Sequence, residues 1–161
     1  MKKSQIPNSP DALNHVRDFL ISNPIATIAT VSPSGKPHAT VVYFSFNDDF
    51  SVSFVTKVGT EKHKNIKRKH DVMMVVYEAS TQTSVQITGR AVDITDTPEA
   101  HEVFKNTLKA VESTSESGIP PISKLEDGRY ISYKVIPSQI RMAVFARPDP
   151  GGYEMFETLT F

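Results

Sequence analysis

From Ile25 onward the chain alternates apolar and polar residues with a period of two, in short runs separated by compact turn sequences. That pattern leaves few architectures open. Residues 25–32 and 37–46 flank Pro33-Ser34-Gly35-Lys36 and read as a hairpin. Asn47-Asp48-Asp49 turns the chain again, and Phe50, Val52 and Phe54 then share one face of a third strand. Runs at 72–77, 84–94, 129–136 and 139–146 continue the series, with Pro137 at an edge or bend. Strands joined in sequence by tight turns pair antiparallel, and closing them on themselves removes exposed edges. The expectation is a mostly β fold with peripheral helices, an antiparallel barrel forming one domain over residues 1–161. A β-sandwich is the structural rival.

Three segments break the strand period. Ser9-Pro10-Asp11 places a capping hydroxyl before a proline in the first helical position, and Leu13, Val16, Phe19 and Leu20 follow at helical spacing until Asn23-Pro24. Thr97-Pro98 caps a second amphipathic helix with Ala100, Val103, Phe104, Leu108 and Val111 in one stripe, ending in a Ser-rich run at 113–118. Between them, residues 59–70 read as a polar helix with Ile66 as its only strongly apolar residue, hence with almost no core face. A Pro-bearing loop is expected at 119–128, and a loop from Arg147 leading to a last apolar segment.

Composition narrows the chemistry. With no cysteine there is no disulfide, no cysteine-held metal cluster and no thiol nucleophile. Eighteen Lys and Arg balance eighteen Asp and Glu, which argues against a chain that wraps nucleic acid and leaves self-association unopposed. The two lysines near the start precede no apolar core of a secretion signal, and the run at 72–77 is too short to cross a bilayer, so a soluble cytoplasmic protein is expected. Gly-rich phosphate loops, the nucleophile elbow and the H-E-x-x-H metal helix are all absent from the sequence. The five histidines are scattered without ligand spacing, and no metal site is expected.

The unusual segment is 57–70, where six cations and one acid give a charge of plus five in fourteen residues. Gly59 followed by Thr60 at the start of this helix presents unsatisfied N–H groups, a helix-dipole end and a nearby ammonium to one point, which suits a phosphate. A solvated face carrying lysines for solubility is an equal reading of the same residues. Nucleic-acid binding is a third, weakened by the neutral total and the lack of interleaved aromatics.

Taken in order, Ile25-Ala26-Thr27-Ile28-Ala29-Thr30, Gly35-Lys36-Pro37-His38, Phe54-Val55-Thr56, Thr60-Glu61-Lys62-His63-Lys64-Asn65-Ile66 and Val85-Gln86-Ile87-Thr88-Gly89-Arg90-Ala91 resemble the pyridoxamine 5'-phosphate oxidase-like flavoproteins. The likeness runs from about 12 to 96 and returns at 130–144. It implies an FMN-binding split barrel, with FMN at the interface of a homodimer. By resemblance, Thr60 and Lys62 hold the flavin phosphate, and Val55 and Thr56 meet the ring beside Thr40, Val41 and Val42. The family's glutamine falls at Ser84, with Gln86 as its replacement two residues along on the same face.

Three departures bear on activity. Glu61 stands where the family has the arginine of its phosphate pair, Thr40 replaces a second arginine, and Ser45 replaces the lysine that receives the substrate phosphate. Lys64, Lys67 or Arg68 are candidates to restore charge. The chain has no tryptophan, and its tail reads Arg147-Pro148-Asp149-Pro150 where the true oxidases carry an Arg-x-His element. The resemblance therefore implies an FMN-dependent oxidoreductase of an unidentified small molecule, and not a pyridoxamine phosphate oxidase. An FMN storage or sensing module without turnover, and a basic-patch phosphate or nucleic-acid binder, are the alternatives.

Overall fold

The computed structural model describes residues 10–117, 119, 129–145 and 156–161. Three helices, α1 (Pro10–Ser22), α2 (Glu61–Arg68) and α3 (Glu99–Thr114), accompany seven strands. The strands are β1 (Ile25–Val31), β2 (Pro37–Phe46), β3 (Val52–Lys57), β4 (Asp71–Glu78), β5 (Thr83–Asp93), β6 (Tyr130–Val144) and β7 (Phe156–Thr160). Pairing runs β3-β2-β1-β4-β5-β6-β7, and a further antiparallel ladder between β3 and β6 closes the first six into a barrel. The expected antiparallel barrel is what forms, and the sandwich is excluded by that closure. β7, built from the last apolar segment, lengthens the wall beside β6.

Alternation decides which side chains fill the interior. Ala26 and Ile28 of β1, Val42 and Phe44 of β2, Val52 and Phe54 of β3, and Val85 and Ile87 of β5 enter one core, and Val16 and Leu20 of α1 join it. No internal helix is needed to fill a barrel of this size, because the inward residues meet across it.

Two expectations are corrected. Residues 130–144 form one strand, not two separated at Pro137. The register against β5 slips between Thr88 and Gly89, so that Gln139 faces Thr88 but Pro137 faces Gly89, and the bulge absorbs the bend. At that point the backbones approach so closely that a Cβ on Gly89 would collide with the Ile136 carbonyl oxygen. Thr97 does not cap α3 either. Its hydroxyl donates to the Ile94 carbonyl at 2.7 Å, and the helix starts at Glu99 without a side-chain cap. The capping role of Ser9, the loop at 119–128 apart from Ile119, and the Arg147-Pro148-Asp149-Pro150 segment lie outside the described residues.

Among the described residues, no helix is long and apolar enough to cross a membrane.

Candidate functional site

Thr56, Thr60 and Lys62 come from two different elements and meet where β3 passes into α2. Gly59 makes that passage possible: its φ of +88° lies in the left-handed region, which favours a residue without a side chain. Thr60 then takes an extended conformation as N-cap. Its Oγ accepts the His63 N–H at 3.4 Å and donates to the Lys57 carbonyl at 3.0 Å. The Thr56 hydroxyl lies 3.3 Å from that of Thr60 and accepts from the Lys62 ammonium at 3.2 Å. The first-turn N–H groups of Glu61 and Lys62 have no carbonyl one turn back within the helix.

Two hydroxyls, an ammonium and the positive end of a helix dipole thus converge. Burial pushes the Lys62 ammonium below the ordinary lysine range. Among the described residues no carboxylate pairs with it. A desolvated cation held only by a hydroxyl gains from an arriving anion, so these residues fit a phosphate group. Glu61 does not oppose this from its backbone position, because its exposed carboxylate turns to Lys64, 2.8 Å away. The hydrogen bond and charge of Lys64 hold that carboxyl below its usual range. Lys64 is thereby committed to Glu61, while Lys67 and Arg68 sit in the last turn, Arg68 about 9 Å farther along the axis than Lys62.

The side of α2 that enters the protein corrects the expectation of a helix with almost no core face: His63, Asn65 and Ile66 are all buried. Ile66 joins the barrel core. The other two are polar and each has a partner across the barrel end. Asn65 Nδ2 donates to the Thr30 hydroxyl at 3.0 Å, and His63 Nδ1 lies 3.0 Å from the Tyr133 hydroxyl. Burial, then the charge of Lys67, pushes the His63 imidazole below 6.5, with Asp93 opposing. Tyr133 is pushed up to about 12, by burial first and by Asp93 second. Sequence reasoning missed these two residues because it counted only apolar side chains as core-forming.

The strand residues divide between the two faces. Thr40 pairs with Ile28 and Val42 with Ala26, both core residues, so Thr40 and Val42 point inward and Val41, 61% exposed, points out. On β3, Thr56 points inward, while Val55 points outward into a second small cluster with Ile94 and Val103 under α3. β2 and β3 pair only through Phe44–Phe46 and Val52–Phe54. Beyond that short ladder no further pairing joins Thr40, Val41 and Val42 of β2 to Val55 and Thr56 of β3, and α3 packs against both strands.

Gln86 lies elsewhere. Val41, Thr27, Val75 and Gln86 form one transverse row over the outside of β2, β1, β4 and β5, so Gln86 stands three strands, roughly 14 Å along the sheet, from Val41. Ser84 shares its face, as expected. The wall between them carries Ile25, Thr27, Ala29 and Val31 on β1 and Met73, Val75 and Tyr77 on β4, with Asp71 of β4 opposite Arg90 of β5 toward one end. Among the described residues, no group of histidine and carboxylate side chains is placed to hold a metal ion.

Comparison with known proteins agrees with this architecture. A search of curated proteins finds no match. A haem-binding protein from Mycobacterium smegmatis superposes with a TM-score of 0.70 at 16% identity over 94% of this chain, which spans only 59% of that protein. A Clostridium acetobutylicum protein related to general stress protein 26, of the pyridoxinephosphate oxidase family, gives 0.65 at 11% identity over 95% of this chain and 96% of its own. A pyridoxamine 5'-phosphate oxidase-related, FMN-binding protein from Nostoc punctiforme gives 0.56 at 15% identity, covering 97% and 99%. At such identities the likeness is one of fold. The sequence profile described as pyridoxamine 5'-phosphate oxidase matches residues 13–129, most of the chain, and the protein belongs to that family.

Proposed function

We propose that this protein is a cytoplasmic, homodimeric FMN-binding oxidoreductase of a small molecule. The observation that carries the reading is the convergence of Thr56, Thr60 and the half-buried Lys62, which makes no ion pair among the described residues, on the first turn of α2, beside the stretch where β2 and β3 no longer pair. FMN, when bound, supplies hydride or electron transfer. The chain's own part is to bind and orient. Lys62 and Thr60 hold the phosphate, and Thr40, Val41, Val42, Val55 and Thr56 border the ring with strand backbone and short side chains. Gln86 serves the flavin of a second copy, since it lies three strands from this chain's own Val41 on the outer face. That face suits self-association, because it exposes Val41, Met73 and Tyr77, and its charges Asp71 and Arg90 lie opposite each other on neighbouring strands.

The visible spectrum of the purified protein, with identification of the chromophore released on denaturation, tests the cofactor. Two broad flavin bands and released FMN support the reading, whereas a Soret band would transfer to this chain what the Mycobacterium smegmatis neighbour is named for. Light scattering across a dilution series, with and without FMN, tests the dimer. A monomer holding stoichiometric flavin overturns the role given to Gln86.

A further inference from the structure

We propose that the cavity between the end of α1, the end of β2 and the second half of α3 is a binding site for a compact organic carboxylate with a flat or branched apolar body. The cavity measures about 370 Å³, at the small end of ligand sites. Its floor is made by Leu20 and Phe44, each 1% exposed, and Pro24 and Phe46 form its sides. Ile21, 58% exposed, lines the cavity as well, and it is these side walls, above a floor already covered, that can take an aromatic ring or a short branched chain out of water.

The polar groups sit along one face of α3. Val103, Thr107 and Val111 are the buried residues of that helix, whereas Asn106, Lys109 and Ser113, at three- and four-residue spacing, line the cavity. Lys109 makes no ion pair among the described residues. It is the one charged group of the lining, which contains no Asp or Glu in a chain with eighteen of them. Asn106 adds neutral amide donors. Ser45 adds a hydroxyl whose bond to the Ser53 carbonyl is long, at 3.5 Å, and readily exchanged. One ammonium with neutral donors balances a single negative charge and under-compensates the nearly doubled charge of a phosphate monoester.

Ser45 is three residues beyond Val42 on the same strand, about 10 Å along β2 from that residue. An occupant of the cavity therefore lies alongside the proposed flavin position. The role of such a carboxylate as the flavin's electron partner rests on the FMN reading above. The site itself stands on the lining.

The test is a titration of the full-length, isotope-labelled protein, flavin-free and again after FMN loading, with 2-naphthoate, 2-naphthalenemethanol and 2-naphthyl phosphate. The expected result is saturable backbone-amide shifts at Ile21, Ser45 and Ala110, with naphthoate binding at least about fivefold more tightly than the alcohol or the phosphate. Lys109→Met should remove that advantage while leaving the alcohol's affinity unchanged. Ser113→Asp, an exposed change on the same helix face, should weaken naphthoate alone. Equal affinity for all three probes, an unchanged naphthoate constant in Lys109→Met, or shifts confined to the outer sheet face would overturn the proposal. Naphthoate binding to a protein that takes up no flavin keeps the site and removes the electron-partner role. Failure of naphthoate on a protein that does load FMN rejects the site and leaves the flavin reading intact.

Discussion

His63 Nδ1 and the Tyr133 hydroxyl meet at 3.0 Å inside the barrel, joining the middle of α2 to β6. Their rings lie 6.2 Å apart, and Tyr133 in turn packs against Phe54. Through this contact the barrel fixes the rotation of α2 about its axis, and with it the direction of Thr60 and Lys62. Tyr133→Phe should leave the imidazole nitrogen unpartnered and cost about 1–3 kcal/mol, read as a lower urea midpoint at unchanged slope. Absorbance titration of the parent should show one of its five tyrosines ionising late, at about 12. A variant as stable as the parent would show that the contact does not hold the helix.

The same histidine predicts acid sensitivity. Its folded pKa lies below the ordinary value of 6.5, so above that value folded and unfolded chains are both neutral at this group. As pH falls from 6.5 toward the folded pKa, only the unfolded chain takes up the proton, and stability declines. Melting temperature should therefore drop between pH 7 and pH 5, and the drop should be smaller in His63→Gln. Identical profiles for the two proteins would assign the loss to other groups.

Lys62→Ala should weaken FMN binding roughly 10- to 150-fold, the equivalent of one charge-assisted bond of about 1.5–3 kcal/mol, without unfolding the barrel. Riboflavin, which lacks the phosphate, should bind the parent more weakly than FMN and be little affected by the substitution. The pH dependence has a definite sign. Burial lowers the free ammonium's pKa and a bound phosphate raises it, so FMN affinity should fall as pH rises above the free value. Fluorescence-quenching titrations with both flavins check all three statements.

The barrel was legible because its evidence is local. Strict alternation from Ile25 to Phe54 fixes which side chains go in, and tight turns fix antiparallel neighbours. Position 137 misled because proline usually ends a strand, and only the partner strand reveals that Gly89 makes room for it. The buried side of α2 was illegible for a similar reason. Asn65 and His63 are core residues only by virtue of Thr30 and Tyr133, which lie 35 and 70 positions away. Of the site residues, resemblance assigns Thr60 and Lys62 to the phosphate but Thr56 to the ring, and only the fold brings the Thr56 hydroxyl to Thr60 and Lys62. The separation of Gln86 from Val41 needed the strand order, which composition and period do not contain.

Gly89→Ala should destabilise the protein by about 1–3 kcal/mol or more, because the new Cβ meets main chain and not a flexible side chain. Thermal unfolding measures it, and a neutral substitution would mean that the β5–β6 bulge can relax. Gly35→Ala is the useful comparison, since open space surrounds that position and only its φ of +81° opposes a side chain.

Flavin-loaded protein should oxidise pyridoxamine or pyridoxine 5'-phosphate poorly. Ser45 offers a hydroxyl where the related oxidases place a lysine, and losing two charged contacts costs on the order of a thousandfold in kcat/KM. Peroxide release at saturating oxygen is the assay, and turnover comparable to an authentic oxidase would show that other cations serve the substrate.

Closure of the wall by β3 and β6 has a consequence for how the protein is made. One edge of Val52–Lys57 pairs with β2, but the other finds its partners at Tyr130–Val135, so a growing chain must extrude more than seventy further residues before the last seam can be sewn. Until then β3 presents a raw apolar edge to its surroundings. Folding should be slow for a chain of this size, with the seam as a late event. Fragments ending before Tyr130 should be prone to aggregate even though they contain every residue assigned to the flavin.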